Sequence, residues 1–254
     1  MRAYLNTQNG SAKPYSEDRV LVCDEIFLSD AACCEFQSGN VALADGVGGN
    51  RSGAVAAFQV CKMLSQLSSP QLDDFLKINN DIIEQGQSDE RKSGMATTLT
   101  GLCFLSPDKA YAYHVGNTRL YAVQGGMYLK QLTRDDTVVE YLLRTGKISE
   151  EEALSYPKRN EITACFGGSN RELLQMSIFP VDIAKNDLFI ITCDGIHETL
   201  SDDEMEEIVA EDFGDWELVA ERLVMTAKQQ GSIDDCSVII IDCSQEEKNG
   251  SEIS

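Results

Sequence analysis

Only two histidines occur in this 254-residue chain, and none of its nine cysteines forms a C-x-x-C pair. A zinc site of ordinary spacing is thereby disfavoured, and an odd cysteine count without a spacing pattern is poor material for a disulfide framework. The thiols read as reduced and mostly buried. Long apolar runs are missing too. No stretch approaches the roughly 20 apolar residues of a membrane span. The opening Met-Arg-Ala-Tyr-Leu-Asn-Thr-Gln lacks the apolar run of a signal peptide. Both absences point to the cytoplasm. Positive charge is scarce as well: 21 Lys and Arg stand against 42 Asp and Glu, a net charge of −21. Nucleic acid and anionic membrane are polyanions, so neither is expected as a partner.

What is present is an ordinary globular composition, 43% hydrophobic and 25% charged. A single domain of this length buries roughly three quarters of the surface its unfolded chain exposes. Apolar runs before turn residues predict buried strands at Val20–Cys23 and Val41–Ala44. Ala54, Ala57, Phe58, Cys61 and Leu64 share one face of a helix over Ser52–Leu67. Ser69 as N-cap and Pro70 as the first helical residue predict a second helix, with Leu72, Phe75, Leu76, Ile82 and Ile83 in register. Strands follow at Thr97–Phe104, Tyr111–Val115, Leu120–Gln124 and Met127–Leu132, the last two joined through Gly125-Gly126. Runs so closely spaced leave no room for crossover helices and predict an antiparallel meander.

Thr133–Gly167 breaks that rhythm, with a helix over Val138–Arg144 and another behind the capping box Ser149 to Glu152. Strands resume at Leu173–Phe179 and Asp187–Thr192. A capping box from Ser201 to Glu204 opens a helix, a further helix covers Trp216–Lys228, and Val238–Asp242 is the last strand. The polar residues 245–254 are expected to be a disordered tail. The order of elements fits two antiparallel sheets with helices packed outside.

Four acidic sites share one context. Asp45 and Asp194 each follow an apolar run and precede a glycine, Asp234 stands just before the last strand, and Glu17-Asp18 stands just before Val20–Cys23. Carboxylates at strand ends sit on rigid supports and can converge on one pocket. Oxygen donors without His or Cys suit Mg²⁺ or Mn²⁺. Clustered carboxylates repel one another until a cation or a bound proton relieves them. The stretch Ala42-Leu43-Ala44-Asp45-Gly46-Val47-Gly48-Gly49-Asn50-Arg51 fails as a nucleotide loop, since it has no Gly-Lys-Ser/Thr and its glycines miss the dinucleotide spacing. Its glycines instead let the backbone approach a metal, with the Gly46 carbonyl as an oxygen ligand.

These segments, in this order, resemble the metal-dependent protein phosphatase family (type 2C), in its bacterial form. Ser16-Glu17-Asp18 is similar to the family's Asn-Glu-Asp, and Asp45-Gly46-Val47-Gly48-Gly49 to its Asp-Gly-x-Gly-Gly. Gly94-Met95-Ala96-Thr97-Thr98 resembles its Gly-x-x-Thr-Thr, and Gly116-Asn117-Thr118-Arg119 its Gly-Asp-Ser-Arg. Cys193-Asp194-Gly195-Ile196 resembles its Ser-Asp-Gly-Leu, and Asp234-Asp235 its Asp-Asn. The match runs over residues 4–243, and Thr133–Gly167 resembles the flap of the bacterial members.

The resemblance implies a four-layer α+β fold, an αββα sandwich in which residues 1–244 form one catalytic domain carrying the 133–167 flap. It implies hydrolysis of phosphoserine and phosphothreonine in proteins by a hydroxide drawn from water between two Mn²⁺ or Mg²⁺ ions. Carried over by residue, Asp45 bridges both ions and the Gly46 carbonyl binds one. Asp194 and Asp234 hold the other, and Glu17 and Asp18 act mostly through water. Phosphoproteins, a Ser/Thr kinase among them, become the expected partners.

Three positions depart from the pattern. Lys13 stands where the family often has an arginine that grips substrate phosphate, and lysine lacks the bidentate fork. Asn117 replaces a carboxylate that holds a third ion in bacterial relatives, so a third site is expected to be weak or absent. Val47 replaces a histidine able to protonate the leaving oxygen. Of the two histidines, His114 reads as structural, and His197 reads as structural or as supporting the site from behind. The departures leave a second reading open, a pseudophosphatase that binds phosphoproteins without turnover. Retention of Asp45, Asp194 and Asp234 argues against it, because an inactive site has no use for clustered charge. The net charge adds an expectation about substrates. Phosphopeptides with basic flanks should be turned over faster than acidic-flanked ones at low ionic strength, and salt should erase the difference. Equal rates at low salt, measured by phosphate release, would contradict this.

Overall fold

The computed structural model describes residues 1–11, 14–47, 51–168, 175–184 and 186–244. Lys13, Gly48, Gly49, the start of the strand expected at Leu173 and the tail 245–254 lie outside the described residues. In chain order the strands are β1 (Arg2–Gln8), β2 (Arg19–Val22), β3 (Glu25–Phe27), β4 (Ala31–Glu35), β5 (Gly39–Ala44), β6 (Gly46–Val47), β7 (Ala96–Thr97) and β8 (Leu99–Ser106). They continue as β9 (Lys109–Val115), β10 (Arg119–Gln124), β11 (Tyr128–Gln131), β12 (Phe166–Gly167), β13 (Ser177–Asp182), β14 (Leu188–Thr192) and β15 (Cys236–Asp242). The α-helices are α1 (Arg51–Leu64), α2 (Leu72–Ser88), α3 (Val138–Arg144), α4 (Glu150–Leu154), α5 (Asp194–His197), α6 (Asp202–Glu211) and α7 (Trp216–Gln229).

Two six-stranded antiparallel sheets form the centre, in the orders β11-β10-β14-β15-β1-β4 and β13-β9-β8-β5-β2-β3. Period-two alternation explains how the second sheet is covered on both faces. Val41, Leu43, Leu102 and Phe104 point into the core shared with the first sheet. Their neighbours Ala42, Ala44, Leu99 and Cys103 point the other way, against Ala57, Val60 and Leu64 of α1 and Phe75 and Ile82 of α2. The outer face of the first sheet is covered by α7, which packs on β1 and β15 with Val219, Leu223 and Ala227 buried in the same hydrophobic cluster as those strands. The architecture is therefore the expected four-layer αββα sandwich. Among the described residues no helix is long and apolar enough to cross a membrane.

Several local expectations change. Helix α1 ends at Leu64 rather than Leu67, because the Asn40 side chain on β5 donates to the Leu64 and Leu67 carbonyls (3.3 and 2.6 Å). Helix α2 begins at Leu72, not Pro70. The Tyr111 hydroxyl claims the Pro70 carbonyl, and the Gln71 N–H finds its acceptor on Asp74 Oδ2 (2.9 Å). Leu72 is consequently exposed while Phe75, Ile82 and Ile83 are buried. The run Thr97–Phe104 breaks at Thr98 into β7 and β8. The meander is split as well: β8 pairs with β9 and β10 with β11, but β9 and β10 lie in different sheets. The chain changes layer at Gly116, whose φ of 108° a side chain would resist. Strands β1, β3 and β4 at the N-terminal end carry no clean alternation and were not expected.

Phe104 is fully buried between the sheets and meets Phe36 edge to face at 5.3 Å. Phe104→Ala should therefore lower unfolding free energy by about 3–5 kcal/mol. The check is a urea transition whose midpoint falls while its slope holds.

Candidate active site

Antiparallel register brings the acidic strand ends together. In one sheet the end of β5 lies opposite the start of β2, with Ala44 paired to Arg19. In the other the end of β14 lies opposite the start of β15, with Thr192 paired to Val238. Asp45, Glu17-Asp18, Asp194 and Asp234 flank these four ends, so the two sheets deliver them to the same end of the sandwich.

Asp45, Gly46, Asp194 and Asp234 line a single cavity of about 590 Å³. The Asp45 backbone is clamped by two threonines: its N–H donates to Thr98 Oγ1 (3.0 Å), and its carbonyl accepts from Thr97 Oγ1 and the Thr98 N–H (both 2.8 Å). At Gly46 a side chain is excluded, since a Cβ would lie 2.5 Å from the Gly53 carbonyl carbon and 2.9 Å from Glu17 Cβ. That contact sets Glu17 directly behind Gly46. Gly195 is equally constrained, because a Cβ there would lie 2.0 Å from the Asp235 carbonyl oxygen. Its absence lets the loop bearing Asp234 close onto the start of α5.

Glu17 and Asp18 are brought near but not onto the cavity wall. Both are buried behind its floor. Arg19 holds their turn by donating to the Ser16 and Asp18 carbonyls. Asp235, which the sequence reading left without a role, braces the same turn: its carboxylate accepts the Gly10 N–H (2.8 Å) and the Glu17 N–H (2.6 Å).

The electrostatics record the crowding. Burial, reinforced by the Asp235 charge, pushes the Asp18 carboxyl up to about 7. Among the described residues neither Asp18 oxygen has a partner of ordinary hydrogen-bond geometry, and the Ser237 hydroxyl relieves it only weakly. Asp194 is also raised, by burial and then by Asp234, against the lowering effects of Asn117 and Asp45. Carboxyls so crowded need a proton or a cation to relieve them. Among the described residues no three His, Cys, Asp or Glu side chains close around an ion by themselves. A few carboxylates, a backbone carbonyl and water are nevertheless the donor set that Mg²⁺ and Mn²⁺ accept. The residues fit such ions.

Asn117 does not complete this set. Its Nδ2 donates to Asp194 Oδ2 (3.0 Å), and its buried Oδ1, without a hydrogen-bond partner among the described residues, is a neutral oxygen where a carboxylate would carry charge. His197 supports it from behind. The ring bonds Thr192 Oγ1 (2.8 Å) and the Asn117 backbone, and burial holds it well below the usual histidine range, hence neutral. His114 is likewise interior, between Thr100 Oγ1 (2.8 Å) and the Arg134 carbonyl (2.7 Å).

Sequence reasoning missed much of the cavity wall. Arg159, Asn160 and Ile162 enter it from the Thr133–Gly167 segment, and Glu198 and Ile233 from the loops beside Asp194 and Asp234. Asn160 donates to Glu198 Oε2. Glu198 is solvent-exposed as a residue, yet desolvation of its carboxyl in the wall, then the nearby Asp194 charge, pushes it up to about 7 against the pull of Arg159. Residues 133–167 are tied down beside Gly46 because β12 pairs with β7, which in turn pairs with β6. The sequence does contain one Cys-x5-Arg spacing, Cys165 to Arg171. Burial raises the Cys165 thiol, the opposite of what a nucleophilic thiolate needs, and Arg171 lies outside the described residues.

Removing the Asp235 carboxylate should strand two backbone N–H groups at about 1–3 kcal/mol each. Urea unfolding of Asp235→Ala in EDTA should show that loss; an unchanged midpoint would mean that the carboxylate braces nothing.

Comparison with known proteins matches this arrangement. The model of the protein phosphatase 2C family matches residues 23–230. The protein phosphatase PhpP of Streptococcus pneumoniae is 30% identical over 218 residues, covering 82% of this chain and 87% of PhpP. The crystal structure of the serine/threonine phosphatase PstP/Ppp of Mycobacterium tuberculosis is 26% identical, with a TM-score of 0.78 over 96% of this chain and all of that one. The PstP catalytic domain in complex with two manganese ions superposes with a TM-score of 0.75 at 24% identity, over 95% and 99% of the two chains. With the family model spanning most of the sequence and the sandwich shared across nearly its whole length, this chain belongs to the protein phosphatase 2C family.

Proposed function

We propose that this protein is a cytoplasmic, metal-dependent phosphatase of phosphoserine and phosphothreonine in proteins, with a Ser/Thr kinase among its substrates. The observation that carries the reading is the convergence of Asp45, Asp194 and Asp234 from the ends of strands in both sheets on one cavity. Asp45, the Gly46 carbonyl, Asp194 and Asp234 would hold two Mn²⁺ or Mg²⁺ ions, with Glu17 and Asp18 behind them. The chemistry that such a pair supplies is acidification of water and neutralisation of phosphoryl charge. A third ion is not part of the proposal, since Asn117 presents a donor to Asp194. The two manganese ions in the PstP complex support the metal count. No observation favours the binding-only alternative.

The chain's own residues supply the rest. Arg159 brings a guanidinium to the cavity wall, suited to the phosphoryl oxygens of an incoming phosphoresidue. Lys13 remains a second candidate for that contact from the sequence alone. Asn117, propped by His197, orients Asp194. Residues 133–167, carried as a flap on the catalytic domain 1–244, wall off one side of the cavity and reduce its access to water.

A phosphothreonine peptide should release phosphate with Mn²⁺ or Mg²⁺, and EDTA or Asp194→Ala should reduce release by about 100-fold or more. Arg159→Ala should raise KM about tenfold, the worth of one charge-assisted hydrogen bond. Undiminished release in EDTA would end the metal-dependent reading.

A further inference from the structure

Ile233 is 65% exposed, although it precedes Asp234 in the loop that closes the candidate site. The exposure does not come from a loose backbone. The neighbouring Asp235 carboxylate is anchored on the Gly10 and Glu17 N–H groups. Gly10 packs so tightly beneath that a Cβ on it would lie 2.2 Å from the Ile233 carbonyl oxygen. Leaving an isoleucine in water forgoes the stabilisation its burial would give, and here an anchored loop holds it among the cavity-lining residues.

Two further aliphatic residues line the same cavity, Val47 and Ile162, both half-buried. Ile162 is held at the root of the 133–167 segment, where the Val138 N–H donates to the Glu161 carbonyl (2.9 Å) and the Thr163 N–H to the Asp136 carbonyl (2.7 Å). The three residues come from separate segments of the chain, Val47 from β6 and the other two from loops, and all are β-branched. Their stiffness at χ1 means that little rotamer freedom is lost on contact. They can neither ligate a cation nor hold a phosphate. An aliphatic rim continuous with a floor of carboxylates can touch only what enters beside the phosphoryl group.

We infer that Ile233, together with Val47 and Ile162, is a specificity surface that selects phosphoproteins with an aliphatic side chain adjacent to the phosphoresidue. The inference rests on the phosphatase reading and names the substrate class of that same cavity. It is tested with two phosphothreonine peptides of equal charge, one with leucine and one with glycine beside the phosphothreonine. In Mn²⁺ the wild-type protein should favour the leucine peptide in kcat/KM by about tenfold, the discrimination an apolar contact of this size provides. Ile233→Ser should bring the ratio within about twofold, Ile162→Ser should lower it, and Ile233→Leu should keep it. Because the ratio is taken within each enzyme, a general loss of activity or folded fraction cancels. Wild-type turnover of p-nitrophenyl phosphate and both peptides with a ratio near one would overturn the inference and leave the phosphatase reading standing, as would an unchanged ratio in Ile233→Ser. Silence toward all three substrates would overturn that reading and the inference together.

Discussion

Asp45 and Asp194 follow strands of different sheets, yet both line one cavity together with Asp234. Like charges meet there at the end of a sandwich whose interior excludes water. Left alone, such a cluster would force the layers apart or take up protons, and burial together with neighbouring charge raises the Asp18 and Asp194 carboxyls accordingly. A cation relieves it without a proton. Repulsion thus makes the protein's stability and its chemistry depend on the same centre.

Holding the cluster takes a rigid support, and each carboxylate has one. Thr97 and Thr98 clamp the backbone of Asp45. His197 and Asn117 stand in line behind Asp194, with the imidazole kept neutral by burial so that it adds no charge. Asp235 joins the Asp234 loop to the turn carrying Glu17, so that parts of both sheets are fastened through one side chain. Backbone contact at Gly46 and Gly195 is close enough that a methyl group would separate these pieces. The site is built by packing first and by charge second.

The cavity wall follows a different logic. Asp45, Asp194 and Asp234 make part of its lining strongly acidic, whereas Arg159, Asn160, Glu198, Val47, Ile162 and Ile233 bring a guanidinium, an amide, a further carboxyl and three aliphatic side chains. The 133–167 segment supplies Arg159, Asn160 and Ile162 and is attached through β12 to the strand beside Gly46. Floor and rim are joined through this strand pairing, and the cavity presents carboxylates and apolar side chains together.

Much was legible in the chain alone. Asp45, Gly46, Asp194 and Asp234 could be picked out because acids at the ends of apolar runs are a local pattern, written in adjacent residues. The capping boxes at Ser149 and Ser201 were legible for the same reason, and the helices they open begin where expected. The split meander was not, since β9 and β10 alternate alike and only the turn at Gly116 sends them to different layers. Nor was the start of α2, where Tyr111, distant in sequence, takes the carbonyl of Pro70. Arg159, Glu198 and Ile233 gave no signal, and Asp235 only its place in the Asp234-Asp235 motif, because their roles are distances to residues far along the chain. Composition, local hydrogen bonding and hydrophobic period determined the elements and the acidic candidates. Which sheet each strand joined, and which side chains face one cavity, were decided by long-range packing, which no local sequence pattern encodes.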